Sequence, residues 1–177
     1  MTAISGILSL GPANAQSTFQ RVGEVVVVGG NGGEYKPEAP TTYNAGPISA
    51  IRICAGRLVD SVQVKYGDQW GTKYGGNGGR CETVTIPANK GIECIWVAHG
   101  NVIDGIGFIV DGTYYLFGGF GGKQTWIESP RAEATLGYIE AQSGNVVDQM
   151  RFNFGTRSGY QPEKSGARCT MGRGGGA

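Results

Sequence analysis

Gly29-Gly30-Asn31-Gly32-Gly33, Gly75-Gly76-Asn77-Gly78-Gly79 and Gly118-Gly119-Phe120-Gly121-Gly122 are three copies of one pentapeptide pattern, and their spacing decides how the chain folds. A second pattern, Gly-x-x-x-Asp, runs with it: Gly56-Arg57-Leu58-Val59-Asp60, Gly100-Asn101-Val102-Ile103-Asp104 and Gly144-Asn145-Val146-Val147-Asp148. The first starts at 29, 75 and 118 and the second at 56, 100 and 144, so both keep a period of about 44 residues. Either pattern alone is a weak signal in a chain with 33 glycines among 177 residues. Two patterns in phase over three copies mark an internal structural repeat. Each Gly-x-x-x-Asp precedes the next glycine loop by about 19 residues, so the 144–148 copy belongs with the first loop, 29–33. That pairing requires the first strands of the chain to complete a sheet with the last.

Around the motifs, apolar and polar residues alternate. Val62, Val64 and Tyr66 are interleaved with Ser61, Gln63 and Lys65, and Met150, Phe152 and Phe154 with Arg151 and Asn153. A period of two marks half-buried strands, which makes each Gly-x-x-x-Asp a hairpin loop with Asp at the entry to the outgoing strand. Val25 to Val28 and Tyr114 to Phe117 lead into glycine loops in the same way, and no helical spacing of apolar residues persists over ten positions. The chain therefore reads as about a dozen short strands in three equivalent four-stranded units. One such unit cannot bury its apolar face alone, whereas three around a pseudo-threefold axis share a core.

Composition narrows the function. Fifteen basic and fourteen acidic residues leave a formal charge of +1, without the basic surplus that a nucleic-acid partner requires. No run of 18 apolar residues is present, so membrane insertion is not expected. Residues 1–20 read either as an arm or as the remnant of a secretion signal, with Ala13-Asn14-Ala15 in the small-x-small form of a cleavage site. The polar, glycine-rich stretch 156–177 reads as a flexible tail, leaving a domain over 21–155. Four cysteines suit an oxidising, extracellular compartment. Cys81 and Cys94 flank a hairpin expected to turn near Pro87-Ala88-Asn89-Lys90, so a Cys81–Cys94 disulfide is expected, with Cys54–Cys169 by elimination. Zinc is disfavoured, because no Cys-x-x-Cys or Cys-x-x-His pair occurs.

A glycine-rich loop presents backbone N–H groups with no Cβ in a ligand's way and tolerates positive φ. A tight Gly-x-x-x-Asp loop beside it adds further donors and one carboxylate acceptor. Fixed donors facing a charged acceptor suit vicinal hydroxyls, each of which donates and accepts. Such a shallow pocket should hold a monosaccharide with a dissociation constant on the order of millimolar, about −4 kcal/mol. Three pockets on one body, doubled in a homodimer, would gain avidity on clustered glycans.

The glycine loop, the alternating strands and the closing Gly-Asn-Val-Val-Asp-Gln-Met-Arg-Phe resemble the jacalin-related lectins over roughly residues 20 to 155. The resemblance implies an all-β fold, the β-prism I of three four-stranded Greek-key sheets. It also implies a first carbohydrate site of Gly33, Asn145, Val146 and Asp148. By residue matching, the second site is Gly79 with Arg57, Leu58 and Asp60, and the third is Gly122 with Asn101, Val102 and Asp104. Many members keep one complete site, so three intact copies imply unusual valency. Galactose-preferring members have a processed amino terminus at the loop glycine and an aromatic residue in the aspartate loop. Here residues precede Gly29 and no aromatic interrupts a Gly-x-x-x-Asp, which points to mannose or glucose on glycoproteins or cell surfaces. Arg57 either hydrogen-bonds or obstructs at the second site, and Phe120 either stacks on sugar or plugs the third.

Other chemistries find less support. No glycine loop ends in Lys-Ser or Lys-Thr ahead of a helix, so none is a nucleotide loop. One carboxylate per site falls short of the roughly six to eight oxygens that calcium takes, and no metal or cofactor is expected. A glycosidase needs paired carboxylates, and the single histidine, His99, with no Gly-x-Ser-x-Gly, gives no hydrolase triad; no enzyme is expected. His99 reads as structural, and Trp70, Trp96 and Trp126 as core or sheet-face packing. The rival function is a matrix protein in which the repeats survive as architecture alone.

Overall fold

The computed structural model describes residues 18–164, 166 and 169. Strands β4 (Ile48–Ala55), β5 (Val59–Tyr66), β6 (Gln69–Gly75) and β7 (Arg80–Thr85) form an antiparallel sheet in the order β6-β5-β4-β7. Strands β8 (Cys94–His99), β9 (Ile103–Val110), β10 (Thr113–Gly118) and β11 (Lys123–Glu128) repeat it as β10-β9-β8-β11. Three strands meander and the fourth returns beside the first, which is a Greek key. The remaining sheet joins the two ends of the described chain. Its centre is the hairpin of β12 (Thr135–Ser143) and β13 (Val147–Arg157), and β3 (Glu34–Lys36) pairs with β12. Along the other side of β13 lie β2 (Val26–Gly29), opposite residues 149–152, and β1 (Phe19–Arg21), opposite 155–157.

This edge position is split, so the sheet holds five strands where four were expected. Gly23, at φ 77°, sits in the break, and Val22 N–H still donates to the Phe154 carbonyl at 2.8 Å. With the split edge counted as one position, the three sheets are the walls of a β-prism. Ile51, Ile53, Val62 and Val64 from one sheet, Ile95, Val97, Ile106 and Phe108 from the next, and Ile139, Met150, Phe152 and Phe154 from the third meet in one buried cluster. The expected domain edges at 21 and 155 both fall inside strands, at β1 and β13. Beyond β13, Tyr160 donates its hydroxyl to the Lys90 carbonyl at 2.8 Å, and Lys90 Nζ reaches Glu163 at 2.7 Å and Asp111 at 2.9 Å. The suggested cleavage site lies outside the described residues, as do 165, 167, 168 and 170–177 of the expected tail.

The expected disulfides are wrong. Cys54 is bonded to Cys81 and Cys94 to Cys169. The Greek key explains it, because β7 returns to β4, where Cys81 stands directly opposite Cys54. The segment 87–90 is then a crossover to another sheet, since β8 pairs with β9 and β11.

Two tyrosines lock the sheets to each other. Beyond Ala141, β12 outruns its short partner β3, leaving backbone groups of Ile139 to be satisfied otherwise. Tyr66 Oη accepts from Ile139 N–H at 3.3 Å, and the Tyr74 hydroxyl donates to the Ile139 carbonyl at 3.2 Å. Burial pushes both phenols far above their ordinary pKa, so the lock stays protonated through the neutral range. Tyr74→Phe strands a buried carbonyl, a loss of about 1–3 kcal/mol. Thermal unfolding should show it as a fall of roughly 2–4 °C per kcal/mol; an unchanged midpoint would refute the lock.

Candidate carbohydrate site at one end of the prism

Three hairpins of identical construction carry the aspartates. Gly56 N–H donates to the Leu58 carbonyl, Gly100 to Val102 and Gly144 to Val146, each at 3.0 Å. Just before each turn the inner hairpin shifts register by a residue, at Cys54/Ala55, Ala98/His99 and Gln142/Ser143. Bulges of this kind re-aim side chains, and all three aspartates are half-buried beside their glycine loop.

The loops are glycine because other atoms fill the space a Cβ would need. A Cβ on Gly32 would lie 2.5 Å from Asp148 Oδ1, and one on Gly33 2.6 Å from Asp148 Oδ2. In the second sheet Gly78 meets Asp60 Oδ1, and a Cβ on Gly79 would lie 2.5 Å from Asp60 Oδ2. In the third, Gly121 would meet Asp104 Oδ1 at 2.5 Å, while the nearest neighbour of Gly122 is the His99 carbonyl. Gly33, Gly79 and Gly122 also hold φ of 71°, 73° and 69°, in the left-handed region. From the other side, the main-chain oxygens of Asp148, Asp60 and Asp104 accept from Gly30, Gly76 and Gly119 at 2.9, 2.9 and 2.7 Å. The structure thus brings Gly33 to Asp148, Gly79 to Asp60 and the 121–122 end of the third loop to Asp104. Asn145 and Val146, Arg57 and Leu58, and Asn101 and Val102 occupy the tips of the same three hairpins.

One relation was not legible in the motifs. The second glycine of each loop abuts the hairpin of a neighbouring sheet: Gly30 the Asn101 carbonyl, Gly76 that of Asn145, and Gly119 that of Arg57. Each loop is wedged between its own aspartate hairpin and the next, and the three candidate sites close into a ring at one end of the prism. The motif spacing pairs loop with hairpin inside each sheet but carries no signal for contacts between sheets.

The surroundings of the three differ. Directly after the loops stand Glu34, Arg80 and Lys123. At the first site Gln149 Nε2 donates to the Gly30 carbonyl at 2.8 Å. Behind the second, the Cys54–Cys81 bond ties the strand leading to the hairpin to the strand leaving the loop. Beside the third, His99 Nε2 lies 2.9 Å from Thr125 Oγ1. Burial, with Lys123 adding to it and Asp104 opposing, pushes the imidazole below its ordinary pKa, so it is neutral at pH 7. Trp70 carries the Arg52 guanidinium 4.9 Å above its ring, Trp126 meets Tyr114 edge-on, and Trp96 is buried against Phe120. Among the described residues no three His, Cys, Asp or Glu converge as metal ligands, and no helix is long and apolar enough to cross a membrane.

The Jacalin-like lectin domain family matches residues 25–153, a span that contains all three loop-and-hairpin pairs. The chain belongs to the jacalin-like lectin domain family. Zymogen granule membrane protein 16 of Rattus norvegicus is 27% identical over 130 residues, 72% of this chain and 77% of that protein. Among solved structures, a mannose binding jacalin related lectin from Ananas comosus is 18% identical, with a TM-score of 0.65 over 79% of this chain and 99% of its own. A prostate-specific WGA16 glycoprotein lectin is 20% identical, with a TM-score of 0.60 over 81% and 98%. At these identities the two structures share the fold of the jacalin-like domain.

The glycines of this domain divide into two kinds. Gly33→Ala sets a methyl against Asp148 Oδ2 at positive φ, whereas a Cβ on Gly144 meets nothing within 4 Å. We expect Gly33→Ala to cost more than about 1 kcal/mol and Gly144→Ala to stay within about 0.5 kcal/mol. Urea unfolding reads both, and equal losses would contradict the close approach.

Proposed function

We propose that the chain is a metal-independent, multivalent lectin with up to three pockets, taking hexoses of the mannose and glucose type. The observation that carries this reading is the carboxylate set against both closing glycines of the loop in two sheets and against Gly121 in the third, at one end of the prism. Asp148 would accept from two adjacent hydroxyls, while N–H groups of Gly33, Asn145 and Val146 donate to their oxygens; Asp60 and Asp104 would act alike in their own loops. Gly56, Gly100 and Gly144 support it from another side. None has positive φ, and a Cβ on any of them would meet at most Asp60 Oδ2, 4.0 Å from Gly56. The open space beside them is where a ligand lies against bare backbone.

The mannose preference rests on the absence of an aromatic in any aspartate hairpin and on the likeness to a mannose binding lectin. Two disulfides among the described residues suit secretion. A homodimer would bring the pockets to six and raise avidity on clustered glycans.

Isothermal titration with methyl α-mannoside counts working pockets. Binding on the order of millimolar is expected, indifferent to EDTA and stronger than for methyl β-galactoside. Asp148→Ala, Asp60→Ala and Asp104→Ala should each lower the stoichiometry by one, and the triple variant should be silent. A triple variant that still binds, or a parent that binds no hexose while folded, refutes the proposal; the second result would leave a prism that is architecture only.

A further inference from the structure

The pseudo-threefold repeat supplies an internal control, because a feature at one site and missing from its two counterparts is not required by the fold. The central residue of the glycine loop is Asn31, Asn77 and Phe120 in the three copies. Asn77 Oδ1 accepts from Lys73 Nζ at 2.8 Å. Phe120, by contrast, is 57% exposed at its loop tip. Its ring centroid lies 5.2 Å from that of Trp96, so the ring rests against the sheet.

Trp96 is unusual in the same sense. Its neighbours Ile95 and Val97 belong to the core, so it faces outward, yet it is only 2% exposed. Counting back from the pairs Ala55–Arg80, His99–Lys123 and Ser143–Glu34, its counterparts in the other sheets are Arg52 and Glu140. The row across its sheet is Leu116, Gly107, Trp96 and Trp126, where the second sheet places Lys73, Gln63, Arg52 and Thr83. Gly105 would meet Trp96 and Gly107 would meet Leu116 if either carried a Cβ. An indole is thus sunk into the outer face of one wall, and the exposed Phe120 ring packs on it.

Beside Phe120 runs a cleft of roughly 570 Å³, lined by the 118–121 loop, the 56–58 hairpin tip and Asp104. Asp104 is also the carboxylate of the third pocket, so the cleft is continuous with it. Its far wall, Arg57 and Leu58, comes from the neighbouring sheet through the ring contact at Gly119. A space that begins at a sugar-type acceptor, passes an exposed aromatic ring and ends at a mixed polar and apolar wall suits a second hexose. Pyranose rings have a CH-rich face for the aromatic and hydroxyls at the edge.

We infer that the third pocket is an extended one: a hexose seated at Asp104 continues into this cleft, and the next unit of a neutral oligosaccharide lays its CH face on Phe120. The inference rests on the sugar-binding reading proposed for the three pockets and adds chain-length selectivity to one of them. Phe120 is neither a plug nor idle.

The test uses the full chain with Asp60→Ala and Asp148→Ala, leaving the Asp104 pocket, titrated with methyl α-mannoside and with mannotriose. The trisaccharide should bind about three- to tenfold more tightly, which is roughly 0.6 to 1.4 kcal/mol. Phe120→Asn, the residue type at the other two loops, should bring that ratio to within about twofold of one, and Phe120→Tyr should retain it. In the unsubstituted chain, mannotriose should shift the Phe120 ring resonances and methyl α-mannoside should leave them in place. Monosaccharide binding without a trisaccharide gain, a gain that survives Phe120→Asn, or an Asp104 pocket silent in a protein that otherwise binds, overturns the inference alone. Silence of the unsubstituted chain toward both sugars overturns it together with the lectin reading.

Discussion

The architecture depends on how closely the main chain of each glycine loop approaches an aspartate. The carboxylate occupies the positions where Cβ atoms of the last two glycines would be, most fully at Asp148 and Asp60. The aspartate's own carbonyl holds the loop's second glycine by its N–H. One residue therefore fastens the loop twice, through backbone and through side-chain contact. Because the second glycine also lies against a carbonyl of the next sheet's hairpin, the fastening passes from sheet to sheet until it closes. The three walls are joined along the axis by a common apolar cluster and at one end by this ring of backbone contacts.

The opposite half is held by different means. There β1 lies opposite residues 155–157 of β13, while β2 and β3, which flank the first glycine loop, complete the same sheet nearer the ring. The edge on β13 is broken at Gly23 and β3 is three residues long. The missing pairing is made good by side chains, since Tyr66 and Tyr74 reach Ile139 across the core. Near the base, Lys90 with Glu163 and Asp111 anchors the segment that leaves β13. These ion pairs are exposed on their acidic side, so their contribution is small at ordinary salt, and the Cys94–Cys169 bond is the stronger tether.

Much of this was legible in the chain because period and alternation are properties of local sequence. The in-phase motifs imply the three units, the partnership of Gly33 with Asp148 across the length of the chain, and the need for the two ends to share a sheet. The cysteines mislead for a reason of the same kind. Neighbouring strands in sequence suggest a hairpin, but in a Greek key the fourth strand pairs with the first, so Cys81 meets Cys54 and Cys94 is left to another sheet. The split edge strand is hidden because Gly23 is one glycine among 33. Contacts between sheets, such as Gly76 on Asn145, and the packing of Phe120 on Trp96 leave no periodic trace, since each is set by how the chain packs and not by what a strand repeats.

A pocket made from backbone has consequences for how its copies diverge. In the proposed pocket the donors would be N–H groups and the acceptor a single carboxylate, so the shared geometry needs only the glycines and the aspartate to persist. Every other position at the rim is free to vary: Asn31, Asn77 and Phe120 at the loop tips, Asn145, Arg57 and Asn101 at the hairpins, and Glu34, Arg80 and Lys123 behind the loops. The ring couples these choices, because a hairpin belongs to its own pocket and also walls the next. Arg57 and Leu58 stand at the tip of the Asp60 hairpin and line the cleft beside Asp104. A substitution there touches two neighbouring sites at once. Three pockets with one core geometry thus have three different edges, and the fold can alter what lies around a hexose without disturbing how the hexose itself would be held.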